Sequence, residues 1–189
     1  MKKGFVIKKR IIPLIIMIAV LFAGILASCT SPEPALPGSE RDVIDIYAAV
    51  VYQLYTEDHT FSKPPNFPVV YIVRVTDDSV GDPGIPDMGS SVLAESVQTA
   101  IVAALYDLPA EFRWVDKFAD VPIDSETGVV EGSGAVVTLG NIQFQEDGSA
   151  LVSAKIYIAN LAGGGLTYVV KKVGGVWKII GDTGVRWIS

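Results

Sequence analysis

The last third of the chain is a series of apolar segments separated by glycines, and this pattern limits the fold most strongly. Paired glycines supply the positive φ angles that tight β-hairpins need. Val152, Ala154 and Ile156 occupy alternate positions, which indicates a strand with one buried face. We therefore expect a four-stranded antiparallel meander over residues 134–145, 149–160, 165–173 and 176–181, with turns at Asp147-Gly148, Gly163-Gly164-Gly165 and Gly174-Gly175. After a turn at 181–184, residues 185–188 extend the sheet.

The part of the chain ahead of the meander alternates between helix and strand patterns. Ser39 and Asp42 have the spacing of a helix capping box, and apolar residues recur at helical spacing over residues 40–56. Further elements are predicted as a buried strand over 69–75, a helix over 93–108 and a strand over 112–115, which together make one right-handed crossover. The predicted fold class is α+β, with two amphipathic helices packed on a curved, mainly antiparallel sheet.

Residues 168–179 place a strand, a Gly174-Gly175 turn and a strand centred on Trp177 in succession. This order resembles the closing hairpin of NTF2-like and related cystatin-like domains, and the resemblance implies a curved sheet closed by helices. The strand predicted at 69–75, ahead of the second helix, departs from the usual order of those domains.

The first 28 residues have the three parts of an export signal. Five basic side chains precede an apolar run over residues 11–27, and small residues then lead to the only cysteine of the chain. The run Leu26-Ala27-Ser28-Cys29 resembles the lipobox of bacterial lipoproteins. The resemblance implies cleavage between Ser28 and Cys29 and attachment of diacylglycerol to the Cys29 thiol. An uncleaved transmembrane helix and ordinary cleaved secretion are the alternatives, and neither explains the cysteine.

The predicted organisation has three parts, which are a signal peptide (1–28), the lipidated cysteine with a proline-rich tether (29–38) and a single α+β domain (39–189). Segments 58–61, 67–71 and 181–184 also resemble those of uncharacterised bacterial lipoproteins. This family implies the extracytoplasmic face of a bacterial membrane, which the protein contacts through the acyl chains on Cys29.

Removal of the signal changes the charge of the chain. The remaining residues carry 10 basic and 21 acidic side chains, a net charge of −11. Such an acidic surface argues against nucleic acid as a partner and against flat binding to anionic lipid. Because Cys29 is committed to lipid, no disulfide forms, and the domain depends on its core for stability.

Few residues suggest catalysis or metal binding. His59 is the only histidine, and its acidic neighbours suit a general base, although a histidine at a helix C-terminus also favours capping. Asp77, Asp78 and Asp82 offer the oxygen ligands that calcium prefers, but aspartates among glycines and prolines are also ordinary turn residues. No metal site and no cofactor are predicted.

Seven aromatic side chains either line a ligand pocket on the sheet or fill the core: Tyr47, Tyr55, Tyr71, Trp114, Tyr157, Tyr168 and Trp177. The leading hypothesis is a lipid-anchored envelope protein whose domain binds a small apolar ligand or another envelope protein, without catalysis. One alternative is a small envelope enzyme that uses His59 or an aspartate as general base. Another is a purely structural envelope protein.

Overall fold

The computed structural model describes residues 38–58 and 67–189, which form two helices and a seven-stranded mixed sheet. Helix α1 spans Glu40–Thr56 and helix α2 spans Glu95–Ala104. The strands are β1 (Val69–Val73), β2 (Glu111–Val115), β3 (Ala135–Leu139), β4 (Gln143–Phe144), β5 (Ser149–Ala159), β6 (Ala162–Val173) and β7 (Val176–Ile188). The predicted α+β fold class is confirmed.

The strands lie in the order β2-β1-β3-β5-β6-β7, and β4 pairs with β5 outside this order. Strand β1 runs parallel to both β2 and β3. The successive strands β3, β5, β6 and β7 are antiparallel and form the predicted meander. Helix α2 connects the parallel strands β1 and β2, as a crossover connection requires.

Helix α1 begins and ends where the sequence predicts. The Ser39 hydroxyl accepts a hydrogen bond from the Asp42 backbone N–H at 3.2 Å, which confirms the N-cap. One carboxylate oxygen of Asp42 accepts from the Ser39 hydroxyl at 2.8 Å, and the other accepts from the Trp177 indole at 2.5 Å and the Lys172 ammonium at 2.9 Å. Only 1% of Asp42 is exposed, so this contact joins α1 to the β6–β7 hairpin in the interior.

The predicted turn at Gly163-Gly164-Gly165 is wrong. All three glycines lie inside β6, and the turn from β5 to β6 occurs at Asn160 and Leu161. A Cβ atom on Gly165 would collide with the Val80 carbonyl oxygen and with the Trp187 indole. Glycine is therefore needed here for close packing of a loop and a neighbouring side chain on the strand.

The predicted turn at 181–184 is also wrong, because β7 continues through this segment to Ile188. Its pairing with β6 shifts register there, and Gly181 and Gly184 have positive φ angles of 157° and 82°. These glycines permit irregularities within a strand. Two other predicted elements are shorter than expected, since α2 ends at Ala104 and residues 134–145 divide into β3 and β4.

The two sides of the sheet are covered differently. The helices pack on one side, where Ile46, Val50 and Ile101 meet Val152 and Ile156 in the main core. Connecting segments cover the other side, where a smaller cluster forms. No helix within residues 38–58 and 67–189 is both long and apolar enough to cross a membrane.

Candidate functional site

The seven aromatic side chains identified in the sequence are divided between the two sides of the sheet. Four are at most 7% exposed within the main core: Tyr47, Tyr55, Tyr168 and Trp177. Trp114 packs against that core, while Tyr71 and Tyr157 belong to the smaller cluster on the opposite side. The aromatic residues fill the two cores, so they do not form one common pocket.

A groove of about 270 Å³ lies on the helix-free side of the sheet. Its floor contains Val73 of β1, Thr138 of β3 and Lys155 of β5, and Thr138 pairs directly with Lys155. The walls come from the connections after β1 and β2, and they consist of Val75, Thr76, Asp77 and Ser90 on one side and Asp116, Lys117 and Phe118 on the other. Segments that follow two parallel strands therefore enclose the groove at one edge of the sheet.

A buried polar cluster fixes the wall that follows β1. Asp78 is 4% exposed, and its carboxylate accepts hydrogen bonds from the Asn141 backbone at 2.6 Å, the Asn141 amide at 2.9 Å and the Met88 backbone at 2.8 Å. The Thr76 hydroxyl donates to Asn141 Oδ1 at 2.9 Å and accepts from the Ser91 N–H at 2.8 Å. The loop is thus held to the β3–β4 connection, and this wall of the groove is preorganised.

The opposite wall contains an exposed ion pair and an aromatic contact. Arg74 directly follows β1, and its Nε atom lies 2.8 Å from Oδ1 of Asp116, which directly follows β2. The Phe118 ring meets the Tyr157 ring edge to face, with the centroids 5.0 Å apart. These contacts place Phe118 beside the floor of the groove.

Lys155 gives the groove a positive charge. Among the residues that the structure describes, no carboxylate oxygen lies within 4.0 Å of the Lys155 ammonium. Its Nζ atom stands 5.8 Å from the centroid of the Phe118 ring, which is a cation–π distance. The groove therefore presents an ammonium group, an aromatic ring and the Thr138 hydroxyl together.

A second cavity, of about 60 Å³, lies between the end of α1 and the β6–β7 hairpin. Asp58 lines it, accepts hydrogen bonds from the Tyr168 hydroxyl at 3.0 Å and the Gln53 amide at 3.1 Å, and pairs with Arg186 at 3.1 Å. Burial raises the pKa of Tyr168, and the charge of Asp58 raises it further. The cavity has room for a few water molecules only, and its polar groups serve to hold α1 on the sheet.

The three aspartates considered as calcium ligands are used as hydrogen-bond acceptors within the chain. Asp77 accepts from the Ser79 N–H at 3.0 Å, and Asp82 accepts from the Gly84 N–H at 2.7 Å. Both contacts are Asx turns, as expected if these aspartates are ordinary turn residues. Asp78 is buried in the polar cluster described above. Within residues 38–58 and 67–189, no group of three or more histidine, cysteine, aspartate or glutamate side chains is placed to hold a metal ion.

Ser28, Cys29 and His59 lie outside the described residues, so lipidation, cleavage and acid–base roles stay predictions. Sequence reasoning missed Lys155 and Asn141 as site residues. Lys155 alternates with apolar residues along β5. The sequence therefore places a cationic side chain on the less apolar face of a central strand, and this position could have identified Lys155 as a site residue. Nothing in the local sequence distinguishes Asn141, whose partner Asp78 is 63 residues away.

No family model, no curated protein and no solved structure matches this chain.

Proposed function

We propose that the protein is a lipid-anchored, extracytoplasmic binding protein without catalytic activity, and that its groove takes a small ligand. The observation that carries the proposal is the groove itself, with one wall fixed by the Asp78–Asn141 cluster and with Phe118 packed against Tyr157 on the other side. Rigid walls and convergent polar groups around an open volume are characteristic of ligand sites.

The N-terminal sequence supports the anchor. The lipobox-like run ends at Cys29, and a segment rich in proline separates it from the start of α1 at Glu40. A proline-rich composition favours an extended spacer, which would separate the domain from the membrane.

Binding is favoured over catalysis because one carboxylate at each cavity, Asp58 and Asp116, is already engaged by other side chains. Asp58 accepts from Gln53 and Tyr168 and pairs with Arg186, and Asp116 pairs with Arg74. A general base needs a lone pair that faces the substrate.

Ligand binding is tested by native mass spectrometry of the full chain purified from the envelope of its own host. Ser90 is exposed on the groove wall, so Ser90→Trp narrows the groove without altering a core. Ser125 is exposed in a turn on the connection after β2 and does not line the groove, which makes Ser125→Trp the matched control. We expect a small molecule to remain bound to the wild type and to Ser125→Trp but not to Ser90→Trp. Equal retention by all three proteins would contradict binding in this groove.

The anchor is tested by intact-mass spectrometry of the membrane-extracted protein. We expect a chain that begins at Cys29 and carries the added mass of diacylglycerol, and we expect Cys29→Ser to lose that added mass. A wild-type chain that keeps residues 1–28 would establish a transmembrane segment instead, and a cleaved chain without lipid would establish plain secretion.

A further inference from the structure

We infer that the groove binds a small ligand with a carboxylate group, and that Lys155 recognises the carboxylate while Phe118 contacts the apolar part of the ligand. This inference rests on the proposed function, because it assumes that the groove is a binding site. It adds the chemical class of the ligand and the residue that selects it.

Among the charged side chains that line the groove, Asp116 and Lys117 have ion-pair partners, whereas Asp77 is held by neutral donors and Lys155 has no described partner of opposite charge. The Asp116 carboxylate is paired with Arg74 at 2.8 Å, and the Lys117 ammonium lies 3.9 Å from the Asp120 carboxylate. The Asp77 carboxylate accepts both the backbone N–H and the hydroxyl of Ser79. A ligand that enters therefore meets one positive charge whose counter-charge is missing among the described residues.

Lys155 lies on a central strand of the sheet, where its ammonium group is partly removed from water. Lys155 is half-buried, with Thr138 beside it on β3 and Gly165 beside it on β6. The Val80 carbonyl oxygen and the Trp187 indole occupy the space above Gly165, and the Phe118 ring centroid lies 5.8 Å from the ammonium. Partial removal of a cation from water is unfavourable until an anion pairs with it, and a carboxylate also accepts charge-assisted hydrogen bonds.

The remaining lining specifies the rest of the ligand. Val73, Val75 and the Phe118 ring supply apolar surface in the groove, and the Thr138 hydroxyl supplies one neutral polar group. The volume of about 270 Å³ lies just below the roughly 300–1,000 Å³ of pockets for drug-sized ligands. A monocarboxylate with one ring or a short apolar chain has the matching size and polarity.

The test uses 4-fluorobenzoate as the probe and 4-fluorobenzamide as its neutral counterpart of the same shape. Binding to the full chain in lipid nanodiscs is measured by broadening of the ¹⁹F NMR line over a titration at neutral pH. Lys155→Met removes the charge and keeps much of the apolar stem. Lys178→Met is the matched control, because Lys178 is an exposed strand lysine of the same sheet that lies outside the groove.

We expect saturable binding of 4-fluorobenzoate to the wild type and to Lys178→Met, and at least tenfold weaker binding to Lys155→Met. We expect 4-fluorobenzamide to bind the wild type at least tenfold more weakly than the benzoate. If both probes bind equally, or if Lys155→Met binds the benzoate as well as the wild type does, the inference is overturned, and ligand retention by the Ser90→Trp variant still decides the proposed function. If neither probe binds, the inference is overturned, and retention of a ligand by the native protein decides the proposed function separately. Thermal unfolding of Lys155→Met checks that the variant is folded.

Discussion

Asp42 shows how one buried carboxylate can make a fold sensitive to pH. Burial alone would raise the pKa of Asp42, but hydrogen bonds from Trp177, Lys172 and Ser39 outweigh it, so the pKa lies below its ordinary value of 3.8. A carboxyl group whose pKa is lowered on folding stabilises the folded state above its ordinary pKa. That contribution is lost as the pH falls from 3.8 through the lowered value.

We expect Asp42→Asn to lower the free energy of unfolding by about 1–3 kcal/mol at pH 7, because an amide cannot balance the charge of Lys172. Urea titrations between pH 7 and pH 2 measure the difference from the wild type, which should narrow as the pH falls. Asp45→Asn is the control on the same helix, since Asp45 pairs with Arg41, whose side chain is 78% exposed. A loss that is the same at every pH would assign the effect to packing and not to charge.

Gly165 is a second residue with a specific structural role, because its lack of a Cβ atom allows close packing. A Cβ atom there would collide with both the Val80 carbonyl oxygen and the Trp187 indole, which donates to that carbonyl at 2.9 Å. We therefore expect Gly165→Ala to destabilise the protein by about 1–3 kcal/mol in thermal unfolding. Gly163→Ala lies on the same strand and meets its nearest atom at 3.1 Å, so its effect should be smaller. Equal effects would mean that strand propensity matters more than the close contact.

Helix α1 is tied to the β6–β7 hairpin at both ends. Asp42 makes the contact at the N-terminus, and Asp58, whose side chain is 14% exposed, accepts the Tyr168 hydroxyl at the C-terminus. We expect Tyr168→Phe to lower the free energy of unfolding by about 1–2 kcal/mol, because it removes one donor from a mostly buried carboxylate. Arg186→Met should lower the free energy of unfolding by less, since the Arg186 side chain is 44% exposed and water screens its ion pair with Asp58. Urea unfolding of both variants gives the comparison, and a larger effect for Arg186→Met would contradict it.

Elements whose signals are local could be predicted from the sequence. The bounds of α1 follow from the Ser39 cap and the helical spacing behind it. The turn at Gly174-Gly175 follows from the glycine pair, and both glycines have positive φ angles in the structure. The glycines of β6 misled the prediction, because glycine permits both a turn and a close approach. Only the position of Val80, far away in the sequence, distinguishes the two uses at Gly165.

The groove could not be predicted from the sequence, because it too depends on contacts between residues that are far apart in the chain. Its floor joins three strands, and its walls are fixed by pairs such as Asp78 with Asn141, 63 residues apart. The aspartates after β1 were recognised as a group, yet the sequence did not distinguish the two in exposed turns from the buried Asp78. Partner and burial, which the tertiary structure sets, decide what each carboxylate does.

At the scale of the whole described domain, stability is distributed unequally between the two sides of the sheet. The helix-bearing side has the large core, whereas the other side has a cluster of five buried residues, Tyr71, Val73, Val121, Val130 and Val136. Residues 117–134 supply two of these, and the connection is otherwise made of short 3₁₀ turns and one isolated bridge between Ile123 and Val130. A segment with so little buried area opens at a lower free energy than the sheet does.

Hydrogen exchange followed by mass spectrometry should therefore show faster exchange in residues 117–134 than in β5 and β6. Val130 is fully buried, so Val130→Ala should lower the local opening free energy by about 1–3 kcal/mol and leave β5 and β6 protected. Val152→Ala, in the main core, should instead accelerate exchange throughout the sheet. Because Phe118 of the same segment forms a wall of the groove, Val130→Ala should also weaken ligand retention. Uniform acceleration by Val130→Ala would mean that both sides of the sheet unfold as one unit, and the groove would then open only when the whole domain unfolds.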